Sequence, residues 1–229
     1  MEYLAVASRL QREDILDRYR HLRAISTRHQ SAALDCLARP AILERARHLG
    51  LAYGQALVAE SEEEMTLLFD LALHTAKPGR SRAIDRYAKA AALSDDSDEG
   101  HTLAAMCGAR FSVWRIERHH EVTGLIVTDV LRGSETWLID EALTISAHAG
   151  LAFASRLCWP AEFAMTCGVV VPVDAELMEE VVVDTHTWLQ RSEPNQWADD
   201  HRFAAAIYRT AIEAGIMDSV EFKEHLTAA

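Results

Sequence analysis

The residues best suited to chemistry in this chain form the basic run Lys77-Pro78-Gly79-Arg80-Ser81-Arg82, continued by Arg86 and Lys89. A glycine-containing basic loop at the start of a helix suits an anion, because the first-turn N–H groups have no intrahelical partner and the helix dipole places partial positive charge there. Lys77, Arg80, Arg82 and Arg86 are therefore the candidate anion-binding residues. The plainer alternative is a Pro-Gly turn with Ser81 as N-cap and a solvated basic face. The Walker pattern is missing, so nucleotide hydrolysis does not follow.

Other chemistries find less support. The chain has 11 histidines, but His119 and His120 are adjacent and on a strand would face opposite sides. Asp184 and His186 form the other close carboxylate–histidine pair, which on a helix is ordinary surface. Asp95, Ser97 and Glu99 alternate before Gly100 as in a calcium loop, yet the twelfth position is Met106 instead of a bidentate carboxylate. No metal and no cofactor is expected. Neither a G-x-S-x-G nor a G-x-G-x-x-G motif occurs, and Cys158 and Cys167 sit among apolar strand residues, where a thiol is usually an inert small hydrophobe. Cys36 and Cys107 join them in no C-x-x-C pair, so neither a disulfide framework nor a zinc knuckle is indicated. Trp114, Trp137 and Trp159 could form a stacking surface, though core packing is the commoner use of strand tryptophans.

These residues must be held by recognisable elements. Between Arg12 and Leu37 the chain lacks Gly and Pro, and Ile15, Tyr19, Leu22, Ser26, His29, Ala33 and Cys36 recur in alternating steps of four and three. This is a helical seam with a small or polar middle, which favours intramolecular packing over a coiled coil. Pro40 opens a helix that stops at Gly50. Ser61 and Glu64 form a capping-box pattern before Met65, Leu68, Phe69, Ala72 and Leu73. An Ala-rich helix from about Arg82 to Leu93 follows the basic loop. The texture changes at Arg110: segments 111–118, 124–131, 136–140, 151–159 and 163–171 read as five short strands. Helical spacing returns after Asp174 through Leu177, Val181, Thr185 and Trp188, then Phe203, Ile207 and Ala211, then 218–226. The Val181-Val182-Val183 run is the weakest part of that pattern.

Apolar residues make up 49% and charged residues 25% of the 229, an ordinary globular composition able to bury a core. No apolar run has the roughly 18 residues of a membrane span, and no leader sequence is recognisable at the N-terminus, so a cytoplasmic location is expected. The formal net charge is −12, and the segment 151–229 alone has 13 acidic against 5 basic residues. That balance disfavours nucleic acid, whose affinity comes largely from neutralised phosphates, while the Arg-rich N-terminal third leaves it open.

The segment from Phe111 to about Val173 resembles the small β-domain of bacterial proteins associated with the SEC-C motif. The likeness rests on Phe111-Ser112-Val113-Trp114, on Asp129-Val130-Leu131-Arg132-Gly133-Ser134-Glu135, and on Gly150 with Ala154-Ser155-Arg156-Leu157. It implies a hairpin at 129–135 in which Gly133 supplies the positive φ. The cysteine-rich SEC-C tail is absent here, so its metal function is not implied. The whole chain also resembles hypothetical proteins of alphaproteobacterial type, a likeness that carries no activity.

Together these features specify an α+β chain. An N-terminal helical region spans 1–109, a central antiparallel five-stranded meander or small barrel spans 110–173, and a C-terminal helical cap spans 174–229. The first ninety residues should hold almost no strand. With no complete catalytic constellation, the expected function is a non-enzymatic cytosolic binding or regulatory protein, which could engage a protein partner or a second copy of itself. The alternative is a nucleic-acid-associated regulator using the arginine-rich N-terminal helices. An enzyme whose groups converge from distant positions is the third class.

Overall fold

The computed structural model of the chain describes residues 2–77, 79–189 and 193–219. Helix α1 (Glu2–Asp35) carries the seam inward: Tyr19, Leu22, Ser26, His29 and Ala33 are buried, whereas Cys36, just past its end, is exposed. The polar His29 is accommodated by the Tyr87 hydroxyl at 3.1 Å and the Glu99 carbonyl at 3.0 Å. Helix α2 (Arg39–His48) has Pro40 in its first turn, where a missing N–H costs nothing, and the chain leaves it through Gly50 at φ 77°.

A hairpin of β1 (Ala52–Tyr53) and β2 (Ala56–Leu57) leads into α3 (Glu62–His74), and it is all the strand described before residue 110. The Ser61 hydroxyl caps α3 by accepting from the Glu64 N–H at 3.1 Å, while the Glu64 carboxylate accepts from the Glu60 N–H at 2.5 Å instead of that of Ser61. Helix α4 (Ala83–Ala91) starts one residue later than the turn-and-cap alternative placed it. Arg82, not Ser81, is the N-cap, and no side chain caps it. Helix α5 (Asp98–Cys107) begins behind Ser97, whose hydroxyl accepts from the Gly100 N–H at 3.0 Å. The calcium-like stretch is therefore a helix start, and Asp98 is occupied by Arg18 at 2.6 Å and His21 at 2.9 Å.

Strands β3 (Arg110–His119), β4 (Leu125–Asp129) and β5 (Glu135–Leu138) form an antiparallel meander. Its β4–β5 turn is the hairpin the resemblance implied. Gly133 at φ 72° donates to the Asp129 carbonyl at 2.7 Å, and the buried Asp129 carboxylate accepts from the Leu131 and Arg132 N–H groups at 3.0 and 3.2 Å. The acid of that motif is thus a turn clamp. A short helix that alternation did not reveal, α6 (Glu141–Ser146), precedes β6 (Ala152–Cys158), which returns to pair with β3.

The expected fifth strand splits into β7 (Met165–Thr166) and β8 (Val171–Val173), both on the far edge of β6. The chain leaves the ladder between them because Asp70 of α3 enters there. A side-chain Cβ at Gly168 would lie 3.2 Å from its Oδ1. A parallel bridge between Leu138 and Ala164 curls the sheet into a half-barrel.

Helices α7 (Ala175–Leu189), α8 (Pro194–Trp197) and α9 (His201–Glu213) and a 3-10 turn (Ile216–Ser219) follow. The β-branched Val181–Val183 run is helical, because Leu177 and Val181 bury against the core. Most of the expected 218–226 helix lies outside the described residues. The largest apolar cluster joins Leu67 and Leu71 of α3, Phe111 of β3 and Phe203 and Ile207 of α9, each buried large side chain contributing about 1.5–3 kcal/mol. Phe111 packs edge-on against Tyr208 at 5.4 Å and Phe203 at 6.0 Å. Among the described residues no helix is long and apolar enough to cross a membrane.

Candidate functional site

Helix α3 ends at His74, and the Thr75 hydroxyl donates to the Leu71 carbonyl at 2.6 Å, turning the chain into the basic loop. Lys77 then reaches Glu44 of α2 at 2.5 Å. Arg82 grips the Asp85 carboxylate with two N–H groups at 2.8 and 2.6 Å and donates to the Cys107 carbonyl at 2.6 Å. Arg86 donates to the Ser81 carbonyl at 2.6 Å, and Arg80 is exposed. Lys77, Arg80 and Arg82 line one cavity of about 500 Å³ with Arg110 and Arg156, while Arg86 lies outside its lining. Asp85 and Asp199 also border this chamber, each tied to an arginine, Arg82 at 2.6 Å and Arg132 at 2.6 Å.

A second cavity of about 530 Å³ meets the first at Lys77 and His201, which line both. Arg45, Arg47 and His48 of α2 form one wall, and Arg202 and Arg209 of α9 the other, over a floor that includes Leu71 and Ala206. Among the described residues that line it there is no carboxylate. Nearby acids hold these arginines from outside the chamber: Asp200 pairs with Arg202 at 2.6 Å, and Glu213 with Arg209 at 3.6 Å. Arg47 is braced on the Gly54 carbonyl at 2.9 Å and Arg45 on that of Thr75 at 3.2 Å. In a chain of net charge −12, the two chambers concentrate positive charge in one recessed groove, where field lines focus and anions accumulate.

Beneath the inner chamber lies a buried polar cluster built from three separate parts of the chain. Arg156 of β6 donates to both oxygens of Asp70 of α3 at 2.9 and 3.1 Å, and the Tyr208 hydroxyl of α9 donates to Asp70 at 3.0 Å. Burial alone would raise the Asp70 carboxyl, but the Arg156 charge and the bonds from Arg156 and Tyr208 outweigh it and hold the group below the usual carboxylate range. Burial and the Asp70 charge push the Tyr208 hydroxyl well above its ordinary value. His74 stands beside them, 4% exposed, with neither ring nitrogen hydrogen-bonded. Burial, reinforced by Arg156, drives its pKa down to about 3, so the ring is neutral.

Asp70, His74 and Tyr208 belong to no linear motif, and Arg156 stands in the Ala154–Leu157 segment of the resemblance without a role attached to it. The signal that could have found the first two is their place on the apolar stripe of α3, where Asp70 and His74 are four residues apart among Leu67, Leu71 and Leu73.

The remaining candidates lie elsewhere. His119 is exposed at the end of β3, and His120 stacks on Trp137 at 4.2 Å, so the two do not act together. Trp114 is buried and donates to the Ser155 carbonyl at 3.0 Å. Trp159 packs on Trp114 at 6.3 Å and supports the Arg110 guanidinium at 4.4 Å, which links the tryptophans to the inner chamber. Cys158 and Cys167 are buried and free. The side chains of Asp184 and His186 lie outside the described residues. Among the described residues no group of three or more His, Cys, Asp or Glu side chains could hold a metal ion. Four arginines of α1 are engaged within the fold: Arg18 with Asp98, Arg20 with Glu141 at 2.7 Å, Arg28 with Glu99 at 3.7 Å, and Arg23 with the Thr166 carbonyl.

A family of unknown function, DUF7986, matches residues 13–220. The chain belongs to this family. The DUF7986 match spans α2 through α9, so both walls of the groove and the whole Asp70–Arg156–Tyr208 cluster lie inside the family region. No curated protein and no solved structure matches the chain at a significant level.

Proposed function

We propose that the protein is a non-enzymatic cytoplasmic binding protein whose basic groove takes an anionic small molecule. The observation that carries this reading is the outer chamber: Arg45, Arg47, Lys77, Arg202 and Arg209 line about 530 Å³ with no carboxylate among the described lining residues, in a chain with 12 more acidic than basic side chains. Arg45 and Arg47, held on backbone carbonyls, stand near each other in a recess of reduced dielectric, and an anion there offsets their repulsion while accepting the paired N–H groups of the arginines. The volume falls within the range of small-molecule sites, about 300–1,000 Å³.

The 1–109 helices, the 110–173 sheet and the 174–229 cap act on this reading as one body, since α2, the loop after α3 and α9 each contribute a wall. Occupancy of the groove would be what a protein partner or a second copy of the chain senses. Calorimetric titration with inorganic phosphate and pyrophosphate in low-chloride buffer tests the reading. Saturable binding that weakens with added salt and is lost in Arg47→Gln supports it, whereas absence of binding to every anion offered refutes it.

A further inference from the structure

The groove has two chambers, and the arginines of each come from different elements. Arg45 and Arg47 of α2 and Arg202 of α9 face the outer one; Arg80 of the basic loop and Arg110 of β3 face the inner one. The chambers are of similar size, about 530 and 500 Å³, and meet at Lys77 and His201. One phosphate bonded by a guanidinium fork occupies one chamber and leaves the other chamber without an anion.

His74 supplies the independent observation. It lines the inner chamber, is 4% exposed and has no hydrogen-bond partner at either nitrogen. A buried polar group in that state is costly, and the cost is relieved when a ligand supplies its partner. A neutral imidazole presents one N–H donor and one acceptor nitrogen. The N–H suits a phosphoryl oxygen, and the other nitrogen suits a hydroxyl of the ligand's skeleton or of a protonated phosphate.

We infer that the ligand is a small hydroxylated molecule bearing two separated phosphoryl groups, one seated in each chamber, with His74 hydrogen-bonded to the inner end. This rests on the anion-binding reading above and names its ligand class. Lys77, shared by both chambers, lies between the two phosphates, and Arg80, exposed and adjacent, closes on the inner one.

The test is calorimetric titration of the full chain with fructose 1,6-bisphosphate and adenosine 3′,5′-bisphosphate against fructose 6-phosphate, adenosine 5′-monophosphate, inorganic phosphate, sulfate and a single-stranded oligonucleotide. At least one bisphosphate should bind about tenfold or more tighter than its monophosphate, as expected for a second charge-assisted fork. That gain should vanish in Arg80→Gln at the inner end and in Arg47→Gln at the outer end. His74→Leu should weaken the bisphosphate about tenfold with no fall in melting temperature, a combination that a merely structural role would not produce. If phosphates bind but no bisphosphate gains, or the gain survives Arg80→Gln, the two-phosphate assignment is wrong while the anion site stands. An oligonucleotide binding more tightly than every bisphosphate overturns the small-molecule assignment. If no phosphate compound binds, both readings fall together.

Discussion

Asp70 and Arg156, 86 positions apart in sequence, meet in a two-pronged ion pair at 2.9 and 3.1 Å with side chains only 1% and 7% exposed. The pair ties α3 to β6, and Tyr208 ties α9 to the same carboxylate. The α9 wall of the groove, the end of α3 that leads into the basic loop, and the sheet therefore meet at one buried charge.

Removing one partner leaves the other charge buried without compensation. Asp70→Asn and Arg156→Met should each cost about 3–5 kcal/mol in urea unfolding, whereas the double change Asp70→Leu/Arg156→Leu should cost less than either. A double variant as unstable as the sum of the singles would show that the pair itself is not the source of the cost.

His74 should behave in the opposite sense. Replacing it by Leu removes two unsatisfied buried nitrogens and should raise stability by about 1–3 kcal/mol near neutral pH. Loss of stability in this variant would mean that the ring packs better than its polar cost.

The same ring governs the acid limb of the stability profile. Its folded pKa of about 3 lies below its ordinary 6.5, so the unfolded chain takes up the proton first as pH falls. Stability is whole above about pH 6.5 and is lost from there down to about pH 3, by up to ~1.4 kcal/mol per pH unit from this group. Asp70, also lowered, adds a further loss as pH falls below its ordinary 3.8. Unfolding measured between pH 7 and 4 should show this slope in the parent chain and a flatter one in His74→Leu.

Arg82 and Arg86 are neighbours on the basic face but differ in attachment. Arg82→Glu breaks the fork on Asp85 and the bond to the Cys107 carbonyl, and should cost about 1–3 kcal/mol. Arg86→Glu loses one exposed bond and should stay within about 0.5 kcal/mol. Equal thermal shifts for the two would contradict the asymmetry.

Gly168→Ala probes the gap between β7 and β8. Its new Cβ would stand 3.2 Å from an Asp70 oxygen that Arg156 and Tyr208 hold in place, so the contact cannot relax cheaply. The expected loss is about 1–3 kcal/mol by thermal melting, and an unchanged melting temperature would show that the bulge widens freely.

Local rules in the sequence determined the elements. The four-and-three spacing of Tyr19, Leu22, Ser26 and His29 set the buried face of α1, Pro40 and Gly50 bounded α2, Ser61 capped α3, and alternation from Arg110 onward marked the strands, because each of these signals acts within a turn or two of its own residue. The same local view placed four cations, Lys77, Arg80, Arg82 and Arg86, on the basic loop and the helix after it. It could not see that α2 and α9 bring Arg45, Arg47 and Arg202 to face them, nor that Asp70, His74, Arg156 and Tyr208 share one buried cluster. Those groups converge only through packing between elements far apart in sequence. The split of the last strand has the same origin: residues 163–171 alternate as one strand should, and it is a carboxylate arriving from α3, almost a hundred positions upstream, that opens the ladder at Gly168.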